Sequence, residues 1–318
     1  MVTPLRGRDE LDAGGLERVI EHILEGSVSG LFILGTTGEG PSLSYRLRRE
    51  LIERTCRQVR DRVPVLVGIT DTAFVESVSL ARHAASAGAS ALVLAPPYYQ
   101  PGGQPEMQEY LEHLLPELPL PLVLYNAPTL TKVNFELELL RRMMDQPRVI
   151  GLKDSSRNMI YFHRVMGLLK HRPDWCLLVG PDELLCDAVL AGAHGGIPGG
   201  ANLFPRLYGQ LYKAAAEGNL VRASQLHAQV MQVSNSLYYI GRHSSAVIKG
   251  IKCGLACLGI CDDFMAEPFH RFRAQERAQV KRFLDETLSS IEKVAPAPIS
   301  QTRPHVNPAA PSASRVPA

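Results

Sequence analysis

Short, continuously apolar runs alternate with amphipathic stretches over the first two thirds of the chain. The apolar runs fall at residues 2–5, 30–34, 63–69, 89–95, 121–126, 149–153, 175–179 and 195–197. Between them, apolar positions recur at helical spacing over 11–25, 44–60, 73–87, 105–115, 135–144, 159–170, 182–191 and 203–217. In the first of these, Leu16, Val19, Ile20, Ile23 and Leu24 share one side. Ser44 is placed to cap the second helix and Gly88 to stop the third. The strands lack the alternation of a half-exposed sheet, so both faces are buried, as in parallel sheets. About eight β–α units over residues 1–218 predict an α/β fold, a (β/α)8 TIM barrel. An open doubly wound sheet is the competing arrangement. It is disfavoured because the first strand is not followed by a glycine-rich dinucleotide turn. Residues 219–293 are helical in pattern and are expected to pack on the barrel as a C-terminal extension. From residue 294 the chain turns rich in Pro, Ala and Ser, which predicts a disordered tail over 294–318.

Composition narrows the function classes. With 318 residues, 45% hydrophobic, the chain can bury a large core. A net charge of +2 gives no field that favours nucleic acid or an anionic membrane. No apolar run is long enough to span a bilayer, and the first residues do not read as a signal or transit peptide, so a cytoplasmic location is expected. The six cysteines do not form a disulfide framework in a chain this long. Cys253, Cys257 and Cys261 follow one another at four-residue steps, which stacks them on one helix face among small apolar neighbours. That is core packing rather than a cluster or metal site.

Barrel active sites form at the C-terminal strand ends. There the sequence places Thr36 and Thr37, Tyr98 and Tyr99, Tyr125, Lys153 and Ser155, Gly180, Asp182 and Glu183, and Ile197 to Gly200. Each has a bland reading. The Gly35-Thr36-Thr37-Gly38 turn can bond its hydroxyls to its own backbone. Asp182 can cap the helix it begins. Tyr98-Tyr99 beside proline suits an interface. Lys153 changes the balance, because a lysine ending an apolar strand is costly unless it faces a pocket. Desolvation there favours a neutral, nucleophilic amine, able to form a Schiff base with a ketone. A tyrosine phenol paired with a threonine hydroxyl can move the protons. The hydroxyls and N–H groups of the Gly-Thr-Thr-Gly turn can hold a carboxylate. This chemistry calls for no metal and no cofactor. His194, the one histidine grouped with these strand ends, has no evident partner.

Six segments together resemble the pyruvate-dependent class I aldolases that include dihydrodipicolinate synthase and N-acetylneuraminate lyase. They are Gly35-Thr36-Thr37-Gly38-Glu39, Pro97-Tyr98-Tyr99, Tyr125-Asn126-Ala127-Pro128, Gly151-Leu152-Lys153-Asp154, Gly180-Pro181-Asp182-Glu183 and the stretch from Gly195 to Asn202. The resemblance implies that Lys153 forms the imine, Tyr125 shuttles protons, Thr36 relays them and Thr37 binds the keto-acid carboxylate. It also implies that Tyr99 completes the relay in a neighbouring subunit's site, and that the Ile197 carbonyl faces the pyruvate part. Ser155 and Gly180 line the same pocket, and Asp182 with Glu183 would hold sugar hydroxyls. The covalent imine takes the place of a cofactor. The partners implied are pyruvate, an aldehyde and further copies of the chain, usually as a dimer of dimers.

Leu130 stands where dihydrodipicolinate synthases carry an arginine for the second substrate's carboxylate. Leu130 and the Asp182-Glu183 pair resemble the lyases and the 2-keto-3-deoxy sugar-acid aldolases. Thr36 in place of serine, and Gly199 in place of a polar residue, separate the chain from sialic acid lyases. A 2-keto-3-deoxy sugar-acid aldolase is therefore the leading expectation. Synthase activity, N-acetylneuraminate lyase activity and a catalytically silent binding barrel are the alternatives. Only Met1 and Val2 precede the Thr3-Pro4 of the first strand, fewer than the family usually has. The expectation is a late start codon or a barrel closed by a short strand.

Overall fold

The computed structural model describes residues 1–292. The tail anticipated from residue 294 lies outside them. The chain begins with a two-stranded antiparallel hairpin, β1 (Leu5–Gly7) and β2 (Glu10–Leu11). A seven-stranded parallel sheet follows: β3 (Leu31–Ile33), β4 (Val65–Gly68), β5 (Ala91–Leu94), β6 (Leu122–Asn126), β7 (Val149–Asp154), β8 (Cys176–Val179) and β9 (Gly195–Gly196), in sequential order. The connecting helices are α1 (Ala13–Leu24), α2 (Tyr45–Val59), α3 (Phe74–Ser86), α4 (Gln104–Leu114), α5 (Pro128–Thr131), α6 (Leu137–Met144), α7 (Met159–Leu168), α8 (Leu185–Leu190) and α9 (Pro205–Ala216). Three more, α10 (Leu220–Leu237), α11 (Ala246–Cys257) and α12 (Ala274–Glu292), complete the described chain. The curled parallel sheet wrapped in helices is the α/β TIM-barrel fold with a C-terminal helical part.

One expected strand is absent from the sheet. Residues 2–5 were expected to open the barrel. Instead, Leu5 pairs with Leu11 in the local hairpin. Pro4 has no N–H to give a ladder, and the polar Arg8-Asp9 turn brings Glu10–Leu11 within reach. Upstream, the Met1 amino group donates to the Phe32 carbonyl at 2.5 Å and Val2 N–H to Asn202 Oδ1 at 2.8 Å. Among the described residues no strand bridges β3 and β9. A cavity of about 400 Å³ lies there, lined among others by Phe32, Leu66, Cys176 and Leu178.

Side chains divide by strand alternation. Leu92 and Leu94 of β5, and Leu122 and Leu124 of β6, join the large core between sheet and helices. Phe32, Val93, Val123 and Tyr125 form a separate cluster inside the barrel. That period of two decides which side chains face the lumen. Trp175, just before β8, is fully buried and donates its indole N–H to the Val149 carbonyl at 3.0 Å.

The C-terminal helices are joined to the barrel by an ion pair. Lys252 on α11 meets Glu39 at 2.6 Å, both side chains being fully buried. The other Glu39 oxygen accepts from Ala266 N–H at 2.8 Å. The cysteines of this region are free, and Cys253 and Cys261 are buried. Burial pushes both thiols up to about 12, so they stay protonated and pack as small apolar groups. No helix among the described residues is long and apolar enough to cross a membrane.

Candidate active site

Lys153 is the penultimate residue of β7, in register with Tyr125 on β6 and Leu178 on β8. Because Tyr125 faces the lumen, its register partner Lys153 does too. Only 7% of Lys153 is exposed. Its Nζ lies 4.4 Å from the Tyr125 ring centre and 5.0 Å from that of Phe32. These two rings meet edge to face at 6.2 Å, so the amine sits against aromatic faces rather than a carboxylate.

The Tyr125 hydroxyl and Thr36 Oγ1 are 3.3 Å apart. Burial pushes the phenol up, but the Lys153 ammonium and hydrogen bonds from Thr36 and Ser155 outweigh it and hold the phenol below its ordinary value. A phenol eased toward its anion beside an amine is suited to taking and returning a proton.

Thr36 and Thr37 occupy a turn held by unusual backbone. Leu34 (φ 59°) and Glu39 (φ 56°) both adopt the left-handed region that side chains other than glycine seldom enter. Glu39 N–H bonds the Thr36 carbonyl at 3.0 Å, and its buried carboxylate is the partner of Lys252. The hydroxyls are therefore not spent on their own turn. Thr36 turns to Tyr125, and Thr37 has no hydrogen-bond partner among the described residues.

Ser155 follows β7, and its N–H bonds the Asn126 carbonyl at 2.7 Å. Its Oγ lies directly over Gly180, where any Cβ would overlap it. Gly180 thus makes room for the hydroxyl that reaches Tyr125. Ile197 extends β9, its N–H bonding Val179 O at 2.9 Å, and packs against the lumen cluster.

Two sequence expectations change. Asp182 was expected to hold substrate hydroxyls, but both its oxygens are occupied. Gly199 N–H reaches Oδ1 at 2.7 Å, while Gly200 N–H (2.8 Å), Tyr208 OH (2.6 Å) and Tyr238 OH (2.5 Å) reach Oδ2. Burial raises this carboxyl above the usual carboxylate value against the pull of these donors. Of the pair, Glu183 keeps an oxygen to offer: its Oε1 accepts from Ser234 Oγ at 2.5 Å. Tyr99, expected in a neighbouring subunit's site, is 89% exposed and does not join the cluster in its own chain, whereas Tyr98 is half-buried. Second, His194 precedes β9 rather than ending it. Its Nδ1 accepts from Leu177 N–H at 3.1 Å, which supplies the partner the sequence did not reveal.

Tyr208, Ser234 and Tyr238 escaped the sequence reading. They lie on α9, on α10 and just after α10, in stretches with no pattern beyond helical periodicity. Asn202 lies at the end of a quoted motif. Its Nδ2 donates to Gly199 O at 2.8 Å while Oδ1 receives Val2 N–H.

Comparison with known proteins adds to this geometry. The model of the dihydrodipicolinate synthetase family matches residues 1–287. The chain is 33% identical over 240 residues to a 4-hydroxy-tetrahydrodipicolinate synthase of Ralstonia nicotianae, covering 75% of this chain and 80% of that protein. It is 30% identical over 252 residues to a probable 2-dehydro-3-deoxy-D-pentonate aldolase of Escherichia coli, covering 79% and 82%. Among solved structures, the dihydrodipicolinate synthase of Bacteroides thetaiotaomicron superposes with a TM-score of 0.88 at 53% identity, covering 90% of this chain and 96% of that one.

Proposed function

The chain belongs to the dihydrodipicolinate synthetase family and is a class I pyruvate-dependent aldolase or lyase; from that premise we propose that it cleaves a 2-keto-3-deoxy sugar acid to pyruvate and an aldehyde. The observation that carries the reaction type is the packing of Lys153 against Tyr125, with the phenol bonded to Thr36.

In this reading the Lys153 amine attacks the C2 ketone, and loss of water leaves a protonated imine. Tyr125 takes the C4 hydroxyl proton as the C3–C4 bond breaks, and that electron pair moves into the imine to give an enamine. The aldehyde leaves, C3 regains a proton, and hydrolysis releases pyruvate and free Lys153. Thr37 and its neighbouring N–H groups hold the keto-acid carboxylate, Ser155 and Glu183 meet hydroxyls of the aldehyde half, and Ile197 presents its carbonyl to the pyruvate part. No cofactor is required, because the imine is the electron sink. Tyr99, exposed on its own chain, would complete the relay of a neighbouring copy, so the active unit would be at least a dimer, and a dimer of dimers in the fullest form.

Substrate choice rests on Leu130. It is 51% exposed on α5, directly after the Tyr125 strand, and offers nothing to a second carboxylate. The names of the relatives favour the second reading, condensation of pyruvate with aspartate semialdehyde. A panel of keto-sugar acids assayed for released pyruvate separates the two. Turnover of the panel with no condensation product is expected; the reverse result would sink the cleavage reading.

Two variants test the proton relay. Tyr125→Phe should lower kcat by about 10²–10³-fold while borohydride still traps a pyruvate adduct, because attack by Lys153 survives. Thr36→Val should cost less, about tenfold, because it removes one hydrogen bond to the phenol. Equal losses in trapping and turnover for Tyr125→Phe would place the tyrosine in imine formation itself.

A further inference from the structure

We propose that Asp182 is a positioning residue, which clamps the Ile197–Gly200 turn against Thr37 and thereby sets keto-acid binding, rather than a ligand of substrate hydroxyls. This rests on the reading of the lumen as a keto-acid aldolase site. Asp182 is 4% exposed. A carboxylate has about four lone-pair positions. Two backbone N–H groups of one turn and two phenols from different helical segments supply four donors, three on Oδ2 and one on Oδ1. None of the four carries a negative charge, so the carboxylate gathers donors that no neutral side chain of its size would hold together.

The clamp is close-fitting on its far side. A Cβ on Gly200 would overlap the Tyr208 hydroxyl and lie 2.7 Å from Asp182 Oδ2. A Cβ on Gly199 would lie 3.8 Å from both Asp182 Oδ1 and Thr37 Oγ1, so this turn is the wall against which Thr37 stands. The Gly199 carbonyl is held in turn by Asn202. Asp182 therefore fixes two groups assigned to the pyruvate half: directly the turn that follows the Ile197 carbonyl, and by contact the Thr37 hydroxyl. Buried and already holding four donors, it is turned to the protein rather than to an aldehyde.

Asp182→Asn keeps the shape but turns an amide N–H toward donors. It should raise the pyruvate concentration for half-maximal borohydride trapping about tenfold, as expected for lost hydrogen bonds to a charged group, while the maximal trapping rate falls less than about threefold. Hydrogen exchange at the Gly199 and Gly200 amides should accelerate in the same variant. Gly200→Ala, which leaves every charge in place, should shift half-saturation in the same direction. Tyr238→Phe, which removes one donor, should shift it by about two- to threefold, and it keeps the test open if Asp182→Asn does not fold. A purely architectural role would lower the melting temperature without moving half-saturation, and that result overturns the proposal. So does a defect confined to the KM of the keto-sugar acid. A wild-type protein that traps no pyruvate overturns the aldolase reading and this role together, whereas normal wild-type trapping with unshifted variants overturns this role alone.

Discussion

Lys153→Arg should abolish turnover, by more than about 10³-fold or ~4 kcal/mol of transition-state stabilisation. The substitution keeps a cation against the Tyr125 and Phe32 rings, so the packing that surrounds the side chain is largely retained. What it removes is the capacity to form an imine, since a guanidinium stays protonated and is not a nucleophile at accessible pH. The variant should melt near the wild type and show no added mass after pyruvate and borohydride. Peptide mapping of the wild type should place the adduct on Lys153. A trapped adduct on another lysine, or turnover persisting in Lys153→Arg, would remove this residue from the mechanism.

Lys252→Met should be the most damaging change outside the lumen. Breaking a buried pair from one side strands the remaining charge, typically at a cost of about 3–5 kcal/mol. Glu39 would keep only the Ala266 N–H as a donor in a fully buried setting. A loss of that size should lower the melting temperature by roughly 10 °C in a domain this large. Adding Glu39→Gln should recover part of it, because the second change removes the stranded charge. Urea midpoints of the two single variants and the double variant measure the coupling. Glu39 closes the turn that carries Thr36 and Thr37, so the single variant should also bind pyruvate more weakly. Unchanged midpoints would mean that the pair does not hold α11 to the barrel.

The fold was legible where periodicity and turn chemistry agree. Continuous apolar strands, helical spacing between them and the Ser44 cap, whose side chain accepts Leu47 N–H at 3.2 Å, all point one way. The reading failed at residues 2–5, where a choice between sheet and hairpin depends on a few backbone bonds rather than on side-chain pattern. The short helix α5 after the Tyr125 strand was also missed, since a single turn spans too few residues to show a period.

In the site, Lys153, Tyr125 and Thr36 were legible because a polar group ending an apolar strand has to be accounted for. Their register and alternation bring them together. Long-range pairings were not. Glu39 and Lys252 are 213 positions apart, and Asp182 and Tyr238 are 56 apart. Nothing local marks such partners, so a carboxylate that gathers a turn and two helical segments resembled one waiting for a substrate. Tyr99 was read as a residue of a neighbouring subunit's site only through the family resemblance, since an exposed tyrosine beside prolines carries no direction of its own.

The chain contains a single tryptophan, and its burial against the Val149 carbonyl has a spectroscopic consequence. Val149 begins the strand that carries Lys153, about 13 Å away at the usual rise per residue. Intrinsic fluorescence excited at the indole band therefore comes from one position, dry and hydrogen-bonded to the strand of the proposed nucleophile. Its emission should be blue-shifted in the native protein and move to the red when β7 separates from Trp175. One label-free signal then reports the integrity of that strand, and it distinguishes variants that lose chemistry from those that lose the strand on which the chemistry is built.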